Sequence, residues 1–193
     1  MPTLSKPLVL ASQSPRRKEL LNLIGLTFEV DVPHTFEEFT PEHFPNPQVL
    51  VRENAKGKVE EVKTRHPKAL ILGVDTVVSI QGKILGKPKT QEEAMSMLGQ
   101  LQGQTHTVWT GVKLLDIASG KEISFEDSTE VDFLPMTQKD IADYVQTGEP
   151  MDKAGAYAIQ GLGSVYIRGI RGDFFNVVGL PIWHVHQALL EMV

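Results

Sequence analysis

The sequence predicts an α/β protein with a mixed central sheet flanked by helices. Along the first half of the chain, short apolar runs typical of strands alternate with segments of helical periodicity. In the middle of the chain, short turns join neighbouring strand-like runs. Helical crossovers favour parallel pairing of strands and short turns favour antiparallel pairing, so we expect both kinds in one sheet.

The predicted strands are runs of apolar and β-branched residues bounded by turn residues. The most apolar of them covers residues 69–72 and continues through Asp75 to residue 80. Turn residues at 81–82 and at 118–120 indicate hairpins. The other extended segments are expected at 8–11, 27–32, 83–85, 105–115, 121–133 and 164–167.

The predicted helices carry apolar residues at three- and four-residue spacing and begin at residues that favour helix starts. Thr90 and Thr137 are expected N-caps, and Pro181 is expected to begin the last helix. The segment 33–47 is rich in Pro, Phe and acidic residues, which favours a loop. The expected helices cover residues 15–24, 48–64, 91–101, 138–146 and 181–192.

Length and composition are those of a soluble globular protein. With 193 residues, of which 41% are hydrophobic, we expect one domain over residues 1–193, with room for two lobes. No apolar run is long enough to span a membrane and no secretion signal is evident, so we expect a protein that is neither membrane-spanning nor secreted. The lack of cysteine excludes disulfides and thiolate chemistry and favours the cytoplasm. The net charge of −5 disfavours a broad surface for nucleic acid.

Three cations, Arg16, Arg17 and Lys18, crowd the start of the first predicted helix. With Ser14 as N-cap and Pro15 as first helical residue, the two arginines lie at the positive end of the helix dipole, which is unfavourable for them. A bound anion would make the arrangement favourable, because backbone N–H groups and guanidinium groups both bind phosphate. We therefore expect a phosphate site here, with ordinary surface arginines as the alternative.

Several other charged residues have two interpretations. Asp75 lies at a bend in the expected central strand, where it is a candidate general base or metal ligand, or a cap for local N–H groups. Glu37 and Glu38, in the loop after residue 32, could share a divalent cation with it, or simply be solvated. Lys87 follows a glycine after a strand and could reach a phosphate, or be a turn lysine. Lys58 is equally ambiguous, since most helix lysines face water.

Two glycine-rich stretches fall short of nucleotide-binding motifs. Residues 82–88 resemble a P-loop, but the spacer between the glycines is one residue too short and Pro88 replaces the required Ser or Thr. The sequence Gly161-Leu162-Gly163 is an isolated G-x-G, far from a dinucleotide fingerprint. Neither stretch identifies a ligand on its own.

Five ordered motifs extend over nearly the whole chain: LASQSPRRKELL at 10–21, GVDTVV at 73–78, ILGKPKTQEEAMSML at 84–98, GEPMDKAGAYAIQG at 148–161 and NVVGLP at 176–181. Taken together, they resemble the Maf family of nucleoside triphosphate pyrophosphatases. The resemblance implies a Maf/ITPase-like fold with two lobes around a nucleotide-binding cleft. It also implies hydrolysis of a nucleoside triphosphate between its α and β phosphates, with Mg²⁺ or Mn²⁺.

The resemblance also implies roles for individual residues. Asp75 matches the catalytic acceptor of the water proton and a metal ligand. Glu37 matches the second metal carboxylate, although the surrounding FEEF sequence leaves Glu38 open. The residues that match triphosphate contacts are Ser12, Arg17, Lys58 and Lys87.

Three further positions distinguish branches of the family, and here they are Arg16, Thr76 and Gln160. This combination resembles the branch that acts on dTTP and UTP, and a sister branch prefers 7-methyl-GTP. A Gln amide has a donor and an acceptor that can pair with N3–H and O4 of uracil or thymine. A pocket built on such paired hydrogen bonds rejects bases that leave its polar groups unsatisfied.

The resemblance leads us to expect a homodimer whose ligand is a nucleoside triphosphate. One alternative is the same chemistry on 7-methyl-GTP, and another is a nucleotide-binding regulator without catalysis. An RNA-associated protein that reads a 5′ phosphate is disfavoured by the acidic net charge and the lack of interleaved basic and aromatic residues.

Overall fold

The computed structural model describes residues 4–192, which form seven strands and six α-helices. The strands are β1 (Leu8–Ala11), β2 (Glu29–Val30), β3 (Leu70–Ile80), β4 (Lys83–Leu85), β5 (Thr105–Asp116), β6 (Glu122–Phe133) and β7 (Ile167–Arg171). The helices are α1 (Pro15–Leu23), α2 (Pro47–Val62), α3 (Gln91–Leu101), α4 (Gln138–Gln146), α5 (Phe174–Val178) and α6 (Ile182–Glu191). Apart from the short α5, the helices agree with the predicted segments to within a few residues.

All seven strands belong to one sheet with the order β2-β1-β3-β5-β6-β7, and β4 pairs with β3. β1 lies parallel to both β2 and β3, whereas β3–β4 and β6–β7 are antiparallel. The prediction of a mixed sheet flanked by helices is therefore confirmed. The β3–β4 hairpin turns at Gln81 and Gly82, which both adopt positive φ angles of 48° and 76°, as a two-residue hairpin turn requires.

The chain divides into two compact units. The first unit contains residues 4–75, 110–127 and 179–192, and the second contains residues 76–109 and 128–178. β3, β5 and β6 each contribute residues to both units.

In the first unit, α2 buries an apolar face against the strands. Asn46 caps α2 by accepting a hydrogen bond from Gln48 N at 2.9 Å, and Pro47 is the first helical residue. The apolar face repeats at three- and four-residue spacing, as predicted for an amphipathic helix. The core cluster of this unit contains Val9, Ala11, Val59, Val62, Ala69, Ile71 and Leu115.

Two glycines allow the strands to approach α2 closely. A Cβ on Gly73 of β3 would lie 2.3 Å from the Ala55 carbonyl oxygen, and one on Gly111 of β5 would lie 2.5 Å from the Val51 carbonyl carbon. Any side chain at these positions would push strand and helix apart. Gly73 is two residues before Asp75, so this close approach also determines how near α2 lies to that carboxylate.

In the second unit, α3 and α4 form a core with residues of β3, β4, β5 and β6. Thr90 accepts a hydrogen bond from Glu93 N at 3.2 Å, and Thr137 forms a capping box with Asp140, so both expected N-caps are confirmed. The cluster contains Val78, Ile80, Leu85, Ala94, Leu98, Leu101, Val108, Val131, Phe133, Met136, Ile141, Tyr144, Val145, Ala156 and Tyr157.

The strand expected at 164–167 is wrong. Residues Leu162–Tyr166 form a 3-10 helix, and the strand follows at Ile167–Arg171. The cause is a distant carboxylate, because Glu149 accepts hydrogen bonds from the N–H groups of Leu162 and Gly163. An acceptor at unpaired N–H groups stabilises the first turn of a helix. Of the extended segment expected at 27–32, only Glu29–Val30 pairs as a strand.

Replacing Gly73 by Ala tests the close packing of β3 on α2. Because the new methyl group would overlap the Ala55 carbonyl oxygen, we expect the free energy of unfolding to fall by about 1–3 kcal/mol. Gly99→Ala is the control, since Gly99 lies within α3 and a Cβ there has nothing within 4 Å. This control should stabilise the protein by about 0.5–1 kcal/mol. Equal effects of the two substitutions in chemical denaturation would contradict the close approach.

Candidate active site

The predicted site residues divide between the two units. Asp75 ends the part of β3 that belongs to the first unit, and Thr76 begins the part in the second. The other predicted residues of the first unit are Ser12, Arg16, Arg17, Glu37 and Lys58. Those of the second are Lys87 and Gln160.

The Asp75 carboxylate is buried, and each of its two oxygens has a partner. Lys58 Nζ lies 2.7 Å from Oδ1, and Asn54 Nδ2 donates to Oδ2 at 3.1 Å. Asp75 is 6% exposed and Lys58 7% exposed. Lys58 therefore does not face water, and the interpretation of it as an ordinary surface lysine is wrong. A buried ion pair of this kind is stable only when hydrogen bonds satisfy its remaining atoms.

Glu38 brings a second carboxylate to the same ammonium group. Its Oε1 lies 2.7 Å from Lys58 Nζ, and Lys58 also donates to the Val74 carbonyl at 3.2 Å. The Glu38 side chain is 55% exposed, whereas that of Asp75 is 9% exposed. Of the two candidate loop carboxylates, Glu38 is thus the one that contacts Lys58, while Glu37 lies exposed beside it.

Asn54 is a site residue that the sequence analysis missed. Its Oδ1 accepts from Phe39 N at 2.7 Å, and its Nδ2 donates to Phe39 O at 3.1 Å as well as to Asp75. The side chain is buried, with 2% exposure. One amide thus joins the loop backbone next to Glu38 to the Asp75 carboxylate. In the sequence, Asn54 could have been identified as a candidate because it lies one helical turn before Lys58, beside the apolar face of the predicted helix.

The loop that carries Glu38 is held on α2 at further points. The Glu61 carboxylate accepts hydrogen bonds from the backbone N–H groups of His34, Thr35 and Phe36. The His34 hydrogen bond, with those of Thr35 and Phe36, lowers the pKa of Glu61 to about 2 despite some desolvation. The Phe36 ring lies over Gly57, where a Cβ would be 2.2 Å from the ring. The acidic loop is therefore fixed along one face of the helix.

Arg17 is buried and bound on three sides. Its Nε donates to Gly179 O at 2.9 Å, and its Nη1 donates to Ser12 Oγ at 2.8 Å and Val74 O at 3.0 Å. Burial lowers the pKa of Arg17 to about 10, while the nearby carboxylates of Asp75 and Glu38 oppose this shift. Arg17 thus remains a cation at neutral pH and connects α1 to β3 and to residue 179, within the motif at 176–181.

The start of α1 differs in one detail from the expectation. Pro15 is the first helical residue and Ser14 occupies the N-cap position, but the Ser14 side chain forms no capping hydrogen bond. Instead, the Ser12 hydroxyl accepts from Ser14 N at 3.3 Å as well as from Arg17. Ser12 therefore helps to hold both the turn and the guanidinium group.

The donor set of the first unit suits a hard divalent cation. Within residues 4–192, no three or more His, Cys, Asp or Glu side chains are grouped to hold a metal by themselves. Asp75 and Glu38 lie close to each other, because both contact Lys58 Nζ, and a divalent cation bound there would share them with this ammonium group. Mg²⁺ in phosphate-binding sites is typically held by one or two carboxylates together with phosphate oxygens. Two oxygen donors of this kind fit that requirement.

In the second unit, Lys87 and Gln160 are exposed and Thr76 is half-buried. The segment of Lys87 is held by a hydrogen bond from Gly155 N to Gly86 O at 3.0 Å. Gln160 precedes the 3-10 helix Leu162–Tyr166. The backbone next to Lys87 is thus held by a hydrogen bond, and Gln160 lies next to a short helix.

The model of the Maf-like protein family matches residues 7–192. The chain belongs to the Maf family. Over 95% of its length it is 48% identical to a protein of Halalkalibacterium halodurans, covering 95% of that protein. Over 91% of its length it is 47% identical to a protein of Bacillus pumilus, covering 90% of it. Both relatives are named dTTP/UTP pyrophosphatase. The resemblance seen in the motifs is confirmed.

Among solved structures, a nucleoside-triphosphatase / dITP/XTP pyrophosphatase of Mycobacterium abscessus aligns with 97% of this Maf chain and 98% of its own, at 13% identity and a TM-score of 0.46. A search of the helices within residues 4–192 finds none with the length and apolar character needed to span a membrane.

Substituting Asn54 by Leu tests its connection between loop and carboxylate. Leucine keeps the volume but removes both hydrogen bonds to Phe39, so we expect amide exchange at Phe39 to rise about tenfold, as the loss of about 1.4 kcal/mol implies. Glu60→Gln is the control, because Glu60 is an exposed residue of the same helix. Unchanged exchange at Phe39 in the Asn54 variant would show that the loop is held without this amide.

Proposed function

We propose that this chain hydrolyses dTTP and UTP to the nucleoside monophosphate and pyrophosphate, with the help of Mg²⁺ or Mn²⁺. The observation that carries the proposal is the cluster in which buried Lys58 contacts both the buried Asp75 and the exposed Glu38, with Arg17 within electrostatic reach. Relatives that are 47% and 48% identical carry the name dTTP/UTP pyrophosphatase.

Asp75 acts as the general base in this proposal. Its two oxygens are already bound by Lys58 and Asn54, which hold the carboxylate in one orientation. Each carboxylate oxygen has a further lone pair, which can accept a hydrogen bond from the attacking water. A fixed acceptor orients the water and takes its proton as the bond to phosphorus forms.

Asp75 and a carboxylate of the acidic loop would hold the divalent cation. The resemblance assigns the loop position to Glu37, and the contact of Glu38 with Lys58 favours Glu38 instead. When bound, the cation supplies charge neutralisation for the pyrophosphate leaving group. The interaction of both carboxylates with Lys58 also means that they are held together before any metal binds.

The triphosphate contacts are assigned to Ser12, Arg17, Lys58 and Lys87. The positive end of the α1 dipole adds to the attraction for phosphate at Ser12 and Arg17. Because Arg17 already binds two backbone carbonyls, its guanidinium group is fixed before substrate arrives. A preorganised cation stabilises developing negative charge without reorganisation during the reaction.

Selection of the base is assigned to Arg16, Thr76 and Gln160, following the family resemblance. The Gln160 side chain is exposed, and its amide matches the donor and acceptor pattern of uracil and thymine. A homodimer belongs to the same proposal and rests on that resemblance, and a cytoplasmic location rests on the lack of cysteine.

A panel of triphosphates tests the function directly. We expect pyrophosphate release from dTTP and UTP at least about tenfold faster than from CTP, GTP, ATP or 7-methyl-GTP, since a hydrogen-bonded pocket rejects mismatched bases. Release should stop with chelator and return with Mg²⁺ or Mn²⁺. Preference for 7-methyl-GTP would overturn the base assignment, and no release from any triphosphate would favour the nucleotide-binding regulator.

Asp75→Asn tests the general base. Loss of a general base typically slows turnover by about 100-fold or more, so we expect kcat to fall by at least this amount. Asp143→Asn is the control, because Asp143 is an exposed residue paired only with Lys139 among the ion pairs of residues 4–192. If the Asp75 variant keeps activity within about tenfold of the unmodified protein, another group must take the proton.

A further inference from the structure

We propose that Glu149 is a positioning residue that, through Tyr144 and the backbone on both sides of Gln160, determines the selectivity of this protein for the pyrimidine base. The inference rests on the proposed function, in which Gln160 reads the base. It concerns a carboxylate for which the function itself requires no role.

The Glu149 carboxylate binds the chain directly after Gln160. Its Oε2 accepts from Leu162 N at 2.9 Å, and its Oε1 accepts from Gly163 N at 3.0 Å. Leu162 and Gly163 are the second and third residues after Gln160, and they begin the 3-10 helix Leu162–Tyr166. One side chain thus fixes the direction in which the chain leaves Gln160.

Tyr144 of α4 binds the chain directly before Gln160. Its hydroxyl donates to Glu149 Oε1 at 2.7 Å and accepts from Ala158 N at 3.1 Å. Tyr144 is 4% exposed, so its ring cannot move easily. Tyr144 and Glu149, which we call the loop clamp, therefore hold the backbone on both sides of an exposed glutamine.

The isolated Gly161-Leu162-Gly163 has a structural explanation in the loop clamp. A Cβ on Gly161 would lie 2.1 Å from Glu149 Oε2, and one on Gly163 would lie 2.5 Å from the Tyr144 hydroxyl. Both glycines are needed because the carboxylate and the phenol approach the backbone so closely. The Gly161-Leu162-Gly163 sequence, which does not match a dinucleotide fingerprint, thus leaves room for Glu149 and Tyr144 to contact the backbone.

The charges agree with these hydrogen-bond directions. Burial acts to raise the pKa of Glu149, but the hydrogen bonds from Gly163, Tyr144 and Leu162 outweigh it and lower the pKa below the ordinary value. Burial, together with Glu149, raises the pKa of Tyr144. At neutral pH the carboxylate is thus the acceptor and the phenol the donor. Lys153 Nζ also donates to the Glu149 carbonyl at 2.7 Å, which holds the carboxylate's own backbone.

Fixing the backbone matters because the position of the backbone determines where the Gln160 amide can meet the base. Uracil presents an acceptor at O4 and a donor at N3, whereas cytosine presents the reverse pattern, and rotating the amide by half a turn exchanges its donor and acceptor. A backbone free to shift would let the Gln160 amide approach the base from several positions and pair with either pattern, so discrimination depends on how firmly the chain around Gln160 is held. Loss of the loop clamp should therefore reduce selectivity more than turnover.

The experiment compares Glu149→Gln and Gly161→Ala with the unmodified protein, with Glu92→Gln as control. Glu92 is an exposed residue of α3, far along the chain from this loop. We expect the ratio of kcat/KM for UTP to that for CTP to fall about tenfold in both clamp variants, with kcat for UTP within about threefold. Amide exchange at residues 162 and 163 should rise in both variants.

If a clamp variant has a lowered melting temperature, Tyr144→Phe replaces it, because this substitution keeps the ring and removes only the hydroxyl. It should also lower the ratio of kcat/KM for UTP to that for CTP. Faster amide exchange with an unchanged ratio would overturn the link to selectivity, and unchanged exchange would overturn the loop clamp itself. An unmodified protein that does not prefer UTP over CTP would contradict the proposed function, and the exchange measurement would still test the loop clamp.

Discussion

The buried ion pair between Asp75 and Lys58 is the interaction on which the candidate site of the first unit depends. Removing a carboxylate and an ammonium group from water costs several kcal/mol for each ion unless both are well partnered. Asn54 and the Val74 carbonyl provide the remaining hydrogen bonds, and Glu38 provides a second negative charge. α2 brings Lys58 to this position because Gly73 has no side chain under the helix backbone. The absence of a side chain at Gly73 thus lets α2 lie close enough to β3 for the charge cluster to form.

Much of the fold could be predicted because hydrophobic patterning is a local property. The apolar run through residues 69–80 predicts β3, and the spacing of apolar residues from 48 to 64 predicts α2. Thr90 and Thr137 mark helix starts through contacts three residues away. Asp75 was identifiable as a candidate because a carboxylate within such an apolar run needs a partner.

Contacts between distant residues account for what the sequence analysis missed. Asn54 resembles an ordinary helix residue until the loop at Phe39 folds onto it, and Glu38 differs from Glu37 only in which of them that loop turns toward Lys58. The 3-10 helix at Leu162–Tyr166 depends on a carboxylate 13 positions earlier, at Glu149. Hydrophobic periodicity does not reveal such partners, because it depends only on the spacing of residues along one segment.

Both units use the same kind of hydrogen bonding to place an exposed side chain of the candidate site. A loop side chain in water is free to sample many rotamers, and its position is only as well defined as the backbone that carries it. In the first unit, the Asn54 amide binds the backbone at Phe39, next to Glu38. In the second, Glu149 binds the backbone two residues after Gln160. Asn54 is buried and Glu149 is half-buried, and in each case the loop backbone satisfies the side chain, so the same hydrogen bonds position the loop and pair a polar group that is partly or wholly removed from water.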